Sequence, residues 1–518
     1  MIESVRIENL RSLKDTGFID LKKINILLGA NSSGKSTFLR SFPLFTQSVK
    51  KNLRGPISWF DDSYVDFGDY QTAKNKYVDK DEYIRFSYHI HGPFSDLFYW
   101  RRHSSFNFRY NQKQISNLYV TVSLNNDSKG TYVNLIEIQL SGNTYRFFIR
   151  SREECFCFQV NDEPLFYDDN WQWRHVSDRH ILPSLFPVKS VDDETFIMSY
   201  EKTIFDYAKR FCDIRFKNLE RLRPLITLWN VDKKKYLKNL IEKTDIQSFS
   251  KTARAWSIES KDFLHIYNSA AFISVFNYLS VIDNELYLFY YCSDYIAPIR
   301  AEANRYYRSQ GLQVNNIDSF GRNLQEFISS LTQKQKKSYN EYTKKLLGIT
   351  VDTKTIAGHY SIVLKNENGE FNMTDVGYGY SQIIPILTKL WFDSTTNRQD
   401  SYRYFYYEPE GVNLTLMEQP ELHLHPALQA KIADAFIELV TKEGEDVIPQ
   451  QLMVETHSPT IVNRIGRRIR EGKISSEDVN VILFQKDKNQ RNTIAKQICY
   501  DEKGQLKDWP FGFFDPED

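Results

Sequence analysis

GANSSGKST, residues 29–37, is the stretch of this sequence that decides the fold. It fits the pattern G-x-x-x-x-G-K-[ST], whose glycines let the main chain fold around a phosphate so that successive N–H groups point inward. In this pattern Lys35 places a positive charge on the terminal phosphates, and Ser36 supplies a hydroxyl to Mg²⁺.

The flanking sequence separates this interpretation from the alternative, a Gly/Ser loop without a ligand. The apolar run at 24–28 predicts a strand before the loop, and residues 36–45 predict a helix after it, whose N-terminal dipole favours anions. We therefore predict a site for ATP and Mg²⁺ made of Gly29, Asn31, Ser32, Ser33, Gly34, Lys35, Ser36 and Thr37.

A second apolar run, residues 414–417, ends in a carboxylate, Glu418, and continues as Gln419, Pro420 and Glu421. A phosphate-binding loop needs such an acidic strand to hold the metal, so we expect Glu418 to bind Mg²⁺ through water. A further polar group has to orient the attacking water, and Gln419 or Glu421 is placed to do so. An apolar strand that ends in glutamate is a weak signal by itself, and without the segment at 29–37 it would be an ordinary strand end.

The run at 452–454 repeats this arrangement, because polar residues, ETHS at 455–458, follow a buried strand. Ligands of open α/β sheets bind at the carboxyl ends of the strands, and we expect this strand to lie beside the acidic one. A lone histidine is more often structural, but at this place we predict that His457 contacts a γ-phosphate.

MTDVGYGYSQ, residues 373–382, predicts a flexible loop that runs into a helix at 383–391. Two interpretations remain open on spacing alone. Small residues ahead of a helix form an anion site, or the loop only caps the helix, with Ser381 as the cap residue.

The remaining pattern predicts an α/β chain. Segments rich in Val, Ile, Tyr and Phe predict an antiparallel sheet at 83–90, 118–124, 132–140, 145–150 and 155–160. Helical spacing follows at 196–222, 234–243 and 263–288, and the later buried strands are followed by helices at 425–440 and 459–470. We predict an α/β fold with an antiparallel β subdomain and a helical insertion, divided into 1–180, 181–290 and 291–518.

The composition argues against several classes of protein. Lys and Arg number 67 against 66 Asp and Glu, whereas a protein that mainly coats nucleic acid carries a strong basic excess. The five cysteines form no CxxC pair and no Cys/His ladder, so zinc is not expected. The sequence has no run of about 18 apolar residues, so we expect a cytoplasmic protein without a membrane span.

Taken together, these motifs resemble those of the ABC-type ATPases that include RecF, SMC heads and the overcoming-lysogenization-defect (OLD) proteins. EQPELHLHP at 418–426 is similar to the family's run D-E-P-E-x-x-L-H-P, and ETHS at 455–458 is similar to its switch segment. The resemblance implies an ABC-type P-loop ATPase head. It also implies a homodimer or higher oligomer around sandwiched nucleotides, in which a divergent signature contacts ATP on the other subunit through Gly377, Gly379, Ser381 and Gln382.

Two shorter segments narrow the resemblance. YIAPIR at 295–300 and DWPFGFFD at 508–515 resemble segments of bacterial OLD-like ATPases from anti-phage operons, including the ATPase subunit of Septu-type systems and of retrons that carry them. This implies an HNH-type nuclease as partner, with a nucleic acid (DNA or retron msDNA) as a further candidate partner. OLD nucleases carry a Toprim domain after the ATPase, and with about sixty residues after His457 we expect no nuclease activity in this chain.

Three functions fit these observations. The chain is an ATPase that senses infection and controls a toxic nuclease, a RecF- or SMC-like protein that acts on DNA in repair, or a scaffold that needs ATP only to dimerise. The near-zero net charge and the lack of a long heptad repeat between the ATPase halves argue against the second function. An adjacent gene for an HNH nuclease or a reverse transcriptase would support the first.

Gln419 stands where the family usually has its water-activating glutamate, and Glu418 where aspartate is more usual. An amide cannot accept a proton as a base, so we predict slow hydrolysis, or hydrolysis that relies on Glu421 or His457. Gln419→Glu should therefore raise turnover, by roughly 100-fold if only the base is missing. A phosphate-release assay measures the change, and an unchanged rate in the variant would count against the prediction.

Overall fold

A computed structural model describes most of the chain, and the sheets and helices below belong to its described residues. These are residues 1–92, 117–151, 156–168, 171–174, 181–187, 196–308, 314–356, 358–395, 412–444, 447–487, 489 and 491–507. The chain divides into two compact units. The first unit comprises Met1–Val5, Ser48–Ile57 and Tyr83–Tyr287, and the second comprises Arg6–Gln47, Ser58–Glu82 and Leu288–Asp518. The three-part division drawn from the sequence stays a prediction.

The strands are numbered in chain order. They are β1 (Ile2–Leu10), β2 (Leu13–Asp15), β3 (Ile19–Asp20), β4 (Ile24–Gly29), β5 (Ile84–His91), β6 (Asn117–Asp127), β7 (Gly130–Leu140), β8 (Asn143–Ile149), β9 (Phe156–Val160), β10 (Glu163–Asp168), β11 (Trp171–Arg174), β12 (Ser184–Pro187), β13 (Asp294–Ile296), β14 (Tyr307–Arg308), β15 (Thr350–Ile356), β16 (His359–Asn366), β17 (Gly369–Asn372), β18 (Asn413–Glu418), β19 (Gln450–Glu455), β20 (Val479–Lys486) and β21 (Thr493–Ile498).

The α-helices are numbered in the same way. They are α1 (Lys35–Val49), α2 (Tyr70–Ala73), α3 (Phe196–Ala208), α4 (Pro224–Thr227), α5 (Lys233–Lys243), α6 (Gln247–Ala253), α7 (Lys261–Tyr291), α8 (Leu324–Ser330), α9 (Gln333–Leu347), α10 (Tyr378–Thr395), α11 (Pro426–Val440) and α12 (Pro459–Arg470). Among the helices described here, none is both long enough and apolar enough to span a membrane.

The first unit contains an antiparallel meander in which β5 to β10 each pair with the next strand. Alternating side chains of β7 and β8 are buried, as expected for strands with one face on a core. Phe158 of β9 and Tyr200 of α3 both contact the ring of Phe272 on α7, with centroids 4.6 Å apart in each pair. The predicted antiparallel strands and the predicted helices at 234–243 and 263–288 are confirmed.

The predicted long helix at 196–222 is wrong beyond Ala208. Two short 3₁₀ turns, Lys209–Phe211 and Leu219–Leu222, follow α3 instead. The carboxylate of Asp213 accepts a hydrogen bond from the N–H of Arg215, and the side chain of Asn218 accepts one from Glu220. Such local side-chain bonds compete with helical bonds, and they account for the interruption.

The second unit is built on a sheet with the strand order β1-β2-β21-β20-β4-β19-β18-β13, to which β1 contributes from Arg6 onward. The strands from β20 to β13 are parallel. Nearly every residue of β4, β18 and β19 is buried, because helices cover both faces of such a sheet. The pairing register sets Glu418 beside Glu455, and Glu455 beside Leu27. The strands predicted at 24–28, 414–417 and 452–454 are confirmed.

Two helices of the second unit begin within eight residues of the strand tips. α11 starts at Pro426 with His425 as its N-cap, and α12 starts at Pro459 with Ser458 as its N-cap. Proline suits the first helical position because its missing N–H has no helical partner there. These starts place the strand-to-helix turns of β18 and β19 at the same edge of the sheet as the segment at 29–37.

The predicted loop at 373–382 is wrong in its second half. α10 begins at Tyr378, so Gly379, Ser381 and Gln382 lie in its first turns. Ser381 is not the cap residue, since its hydroxyl donates to the carbonyl of Tyr378 within the helix, at 2.6 Å. The turn before the helix falls on Gly377, whose φ of 93° is accessible to glycine.

Candidate functional site

The loop between β4 and α1 has the backbone of a phosphate cradle. Gly29 has φ 153° and Gly34 has φ 105°. A Cβ on Gly29 would lie 2.3 Å from the carbonyl oxygen of Phe484, and one on Gly34 would lie 2.7 Å from Oγ1 of Thr493. β20 and β21 therefore pack against the loop so closely that only glycine fits at both positions.

Lys35 is held inside this loop. Its ammonium donates to the carbonyl oxygens of Gly29 and Ala30, both at 2.9 Å, and lies 3.9 Å from Glu455. Burial lowers the pKa of Lys35, while Glu455 and Glu421 act in the opposite direction. A buried cation bound mainly to neutral carbonyl oxygens is well placed to bind an anion that enters the loop.

A cavity of about 490 Å³ opens on the loop. Seven of the eight predicted loop residues line it, and the eighth, Gly29, accepts the bond from Lys35. Gln419, Glu455 and His457 also line it, although they lie hundreds of residues away in the chain. The structure thus brings the loop together with the tips of β18 and β19, as the sequence predicts.

Glu455 is the carboxylate that contacts the hydroxyl of Ser36. Ser36 donates to one oxygen of Glu455 at 2.8 Å, and the other oxygen has no hydrogen-bond partner among the described residues. Burial and, after it, the negative charge of Glu418 raise the pKa of Glu455 to about 7. The sequence pattern alone predicts no role for Glu455 beyond its place in the segment ETHS, because its position beside Ser36 depends on the register of β4 and β19.

Glu418 is engaged by other side chains. Arg40 donates to both of its oxygens, at 2.7 and 2.8 Å, and the hydroxyl of Tyr295 donates at 2.7 Å. Arg40 and Tyr295 were not predicted as site residues. Arg40 lies one helical turn after Ser36 and on the same side of α1, which is the signal that would have found it.

These groups fit a magnesium ion. Mg²⁺ prefers one or two carboxylates plus phosphate oxygens and water, and the pair of Ser36 and Glu455, with its unpartnered carboxylate oxygen, supplies hard oxygen ligands. Within the described part of the chain, no set of three or more His, Cys, Asp or Glu residues forms a separate metal site. The predicted ligands Ser36 and Glu418 stay a prediction, to which the geometry adds Glu455.

Gln419 has a left-handed backbone, with φ 42°, and its N–H donates to the carbonyl of Glu455 at 2.8 Å. Positive φ is uncommon outside glycine and is frequent at functional sites. It aims the chain after β18 toward the cavity.

Glu421 holds the main chain of the next strand tip. One of its oxygens accepts the N–H of His457 at 2.7 Å, while the other has no partner among the residues described. Burial raises the pKa of Glu421, against the effect of the His457 N–H.

His457 lines the cavity. Burial, followed by the positive charge of Lys35, lowers its pKa. Its Nε2 has no hydrogen-bond partner in the described part of the chain. Buried polar atoms without partners are rare in folded proteins and often mark a place where a ligand or water binds. Ser33 Oγ, Glu455 Oε2 and His457 Nε2 form such a set on residues that line this one cavity.

The four predicted signature residues lie apart from this cavity. None of Gly377, Gly379, Ser381 and Gln382 lines it. A Cβ on Gly379 would lie 3.6 Å from the carbonyl of His423, so the start of α10 packs against the turn after β18. Gln382 is buried and accepts a hydrogen bond from Arg300.

Residues 1–462 match the family described as "AAA ATPase domain", and residues 474–518 match a family described as "Protein of unknown function (DUF3696)". No curated protein matches the chain.

Several solved SMC heads are similar to it. An SMC head bound to the C-terminal winged-helix domain of ScpA is 10% identical over 96% of this chain and 97% of that chain, with a TM-score of 0.35. An SMC head from Pyrococcus furiosus, bound to the C-terminal domain of ScpA, is 12% identical over 96% of each chain, with a TM-score of 0.34. The head from Thermotoga maritima is 7% identical over 96% of this chain and 98% of that chain, with a TM-score of 0.34. The sheet order and the first family match confirm the predicted α/β fold class of a P-loop ATPase.

Glu455→Gln separates the effect of this carboxylate on the stability of the fold from its effect on ligand binding. The pKa of Glu455 is raised in the folded protein, from an ordinary 4.5 to about 7, so the wild type loses stability as the pH rises from 4.5 through 7. The variant carries no charge there. We predict that at about pH 8, without nucleotide, its free energy of unfolding exceeds that of the wild type by about 1–3 kcal/mol.

Chemical denaturation at several pH values measures this difference. The difference should shrink as the pH is lowered toward 4.5, the ordinary pKa of a glutamate carboxyl. Binding of MgATP should instead become at least about tenfold weaker, since a carboxylate ligand is lost. A variant less stable than the wild type at every pH would show that Glu455 serves the fold and not the ligand.

Proposed function

This chain belongs to the AAA ATPase domain family, and from that premise we propose that it is a slowly hydrolysing, ATP-controlled switch that governs a partner protein. The observation that carries the proposal is the convergence of distant segments on one cavity. The loop at 29–37, the turn after β18 and the turn after β19 supply Lys35, Gln419, Glu455 and His457 to the same space.

The loop supplies the binding step. Its main-chain N–H groups and the start of α1 favour an anion. Lys35 exchanges its bonds to two loop carbonyls for bonds to the terminal phosphates, which are charge-assisted and stronger. A chain that binds ATP in this way is most stable in the nucleotide-bound form, because the buried ammonium then has an anionic partner.

Magnesium would be held by Ser36 and Glu455, with Glu418 acting through water. The ion supplies charge that neutralises the phosphate oxygens. Arg40 and Tyr295 bind both oxygens of Glu418, which suits a ligand that contacts the ion indirectly. Removal of Mg²⁺ is therefore expected to weaken ATP binding.

Hydrolysis is proposed to be slow. Gln419, whose side chain is a neutral amide, lines the cavity at the place where a base would speed the attack of water. Glu421 and His457 remain to orient that water. Oε2 of Glu421 and Nε2 of His457 have no hydrogen-bond partner among the described residues. A switch of this kind spends most of its time with bound nucleotide.

Dimerisation would complete the site. The signature residues lie outside the cavity, and the Tyr378 side chain at the start of α10 is half exposed. Both observations fit contact with ATP on a second subunit, as the resemblance to ABC-type heads implies. We therefore place the two heads of a homodimer around two nucleotides.

The partner is proposed to be an HNH-type nuclease in anti-phage defence. The support is the resemblance of YIAPIR at 295–300 to OLD-like ATPases of defence operons; two of its residues, Tyr295 and Arg300, contact Glu418 and Gln382 in this unit. The second resembling segment, 508–515, lies outside the described residues.

Purification of the tagged chain from its native host, in ATP, in ADP and without nucleotide, tests this function. We predict that a nuclease subunit co-purifies and that its DNA cleavage differs at least about tenfold between the ATP and ADP preparations. We also predict that ATP increases the dimer fraction, measured by light scattering. Turnover that DNA stimulates in the purified chain without a partner would favour DNA repair instead. An ATP-dependent dimer that leaves the activity of the partner unchanged would favour a scaffold.

A further inference from the structure

Arg300 is a buried cation that the proposed chemistry does not yet use. It follows β13, and its side chain is 2% exposed. Nε donates to the side-chain oxygen of Gln382 at 3.2 Å, Nη1 donates to the carbonyl of Ala297 at 3.4 Å, and Nη2 has no partner among the described residues. A guanidinium has five N–H donors and remains charged, so a buried one is costly unless it is paired.

Another buried cation of the same unit is paired in the ordinary way. Lys389, on α10, donates to Asp294 at 2.5 Å and lies 2.8 Å from Asp393. Two carboxylates thus compensate its charge. Arg300, in contrast, has only neutral hydrogen-bond partners in the described part of the chain. A cation kept for stability alone would be expected to have the first arrangement.

Glu421 is the anion that acts on Arg300. Burial lowers the pKa of Arg300 to about 10, and the attraction of Glu421 is the largest opposing cause, followed by Tyr378. In turn, the charge of Arg300 favours the ionised form of Glu421. Oε2 of Glu421 and Nη2 of Arg300 are both buried and without hydrogen-bond partners among the described residues. Oε1 of Glu421 accepts the main-chain N–H of His457.

Arg300 therefore interacts with two parts of the site. Its Nε binds Gln382, which is 1% exposed and belongs to the first turns of α10. It also attracts Glu421 in the turn after β18. These two parts also touch directly, because Gly379 packs against His423 and Leu424.

We propose that Arg300 is a positioning residue for ATP turnover, which holds the start of α10 through Gln382 and the turn that carries His457 through the charge of Glu421. This inference rests on the proposed function. It makes the signature segment and the γ-phosphate side of the cavity respond together, since one guanidinium binds Gln382 and attracts Glu421. Arg300 does not line the nucleotide cavity, so it acts through Glu421 and Gln382 and not on the nucleotide itself.

Arg300→Gln and Glu421→Gln, singly and together, test this role. Arg300→Gln should leave the Kd for MgATP within about threefold of the wild type and lower the single-turnover rate of phosphate release at least about tenfold, because positioning is lost and binding is not. In the Glu421→Gln background, Arg300→Gln should lower the rate by no more than about twofold further, since the partner of the charge is already gone. Arg300→Lys, which keeps the charge, should recover part of the rate.

Controls keep the test interpretable. Arg322→Gln removes an exposed guanidinium of the same unit and should change neither Kd nor rate. Should Arg300→Gln fail to fold, Gln382→Met removes the other partner of Arg300 at similar volume and should lower the rate at least about threefold.

Two outcomes would overturn the inference. Rate losses that multiply independently in the double variant would show that Arg300 acts without Glu421. A loss of ATP affinity in parallel with a loss of stability would show a purely structural role. A wild type that binds no MgATP would refute the proposed function itself, whereas a wild type with normal turnover and independent losses would refute only this inference.

Discussion

The parallel pairing of β4 with β19, and of β19 with β18, is the constraint on which the proposed nucleotide site depends. It brings the loop at 29–37 beside Glu455, and Glu455 beside Glu418. Because side chains alternate along a strand, a shift of one residue in either pairing would turn a carboxylate away from Ser36. The apolar residues of these strands are buried on both faces of the sheet, and this burial fixes the register that the chemistry requires.

The same arrangement places costly groups together. Glu418 and Glu455 are two buried carboxylates at neighbouring strand ends, and Gln419 has a strained backbone beside them. Arg40 compensates Glu418, because its bond to that carboxylate raises the pKa of Arg40 by more than burial lowers it. Glu455 has only the more distant ammonium of Lys35, at 3.9 Å, and one of its oxygens has no hydrogen-bond partner among the described residues, so a bound divalent cation would stabilise its charge. Proteins generally accept such costs where function requires them.

Local spacing predicts the parts of the site that need only neighbouring residues. The loop at 29–37, with its preceding strand and following helix, follows from its own sequence, and so do the buried runs before Glu418 and His457. The role of Glu455 could not be predicted, because it depends on the register of two strands that are more than 400 residues apart in the chain. The contact of Arg300 with Gln382 could not be predicted either, because it depends on where α10 packs. The start of α10 was misplaced because glycines at 377 and 379 suggest a loop, whereas the packing of Gly379 against His423 stabilises a helix there.

Isothermal titration calorimetry with ATP, with and without Mg²⁺, tests the central claim most directly. We predict Mg²⁺-dependent binding to the wild type, and at least about tenfold weaker binding, or about 1.4 kcal/mol, in Lys35→Ala. Lys23→Ala, which removes a partly exposed lysine just before β4, is the matched control and should bind as the wild type does. Absence of Mg²⁺-dependent binding in the wild type, or equal binding by Lys35→Ala, would contradict the account.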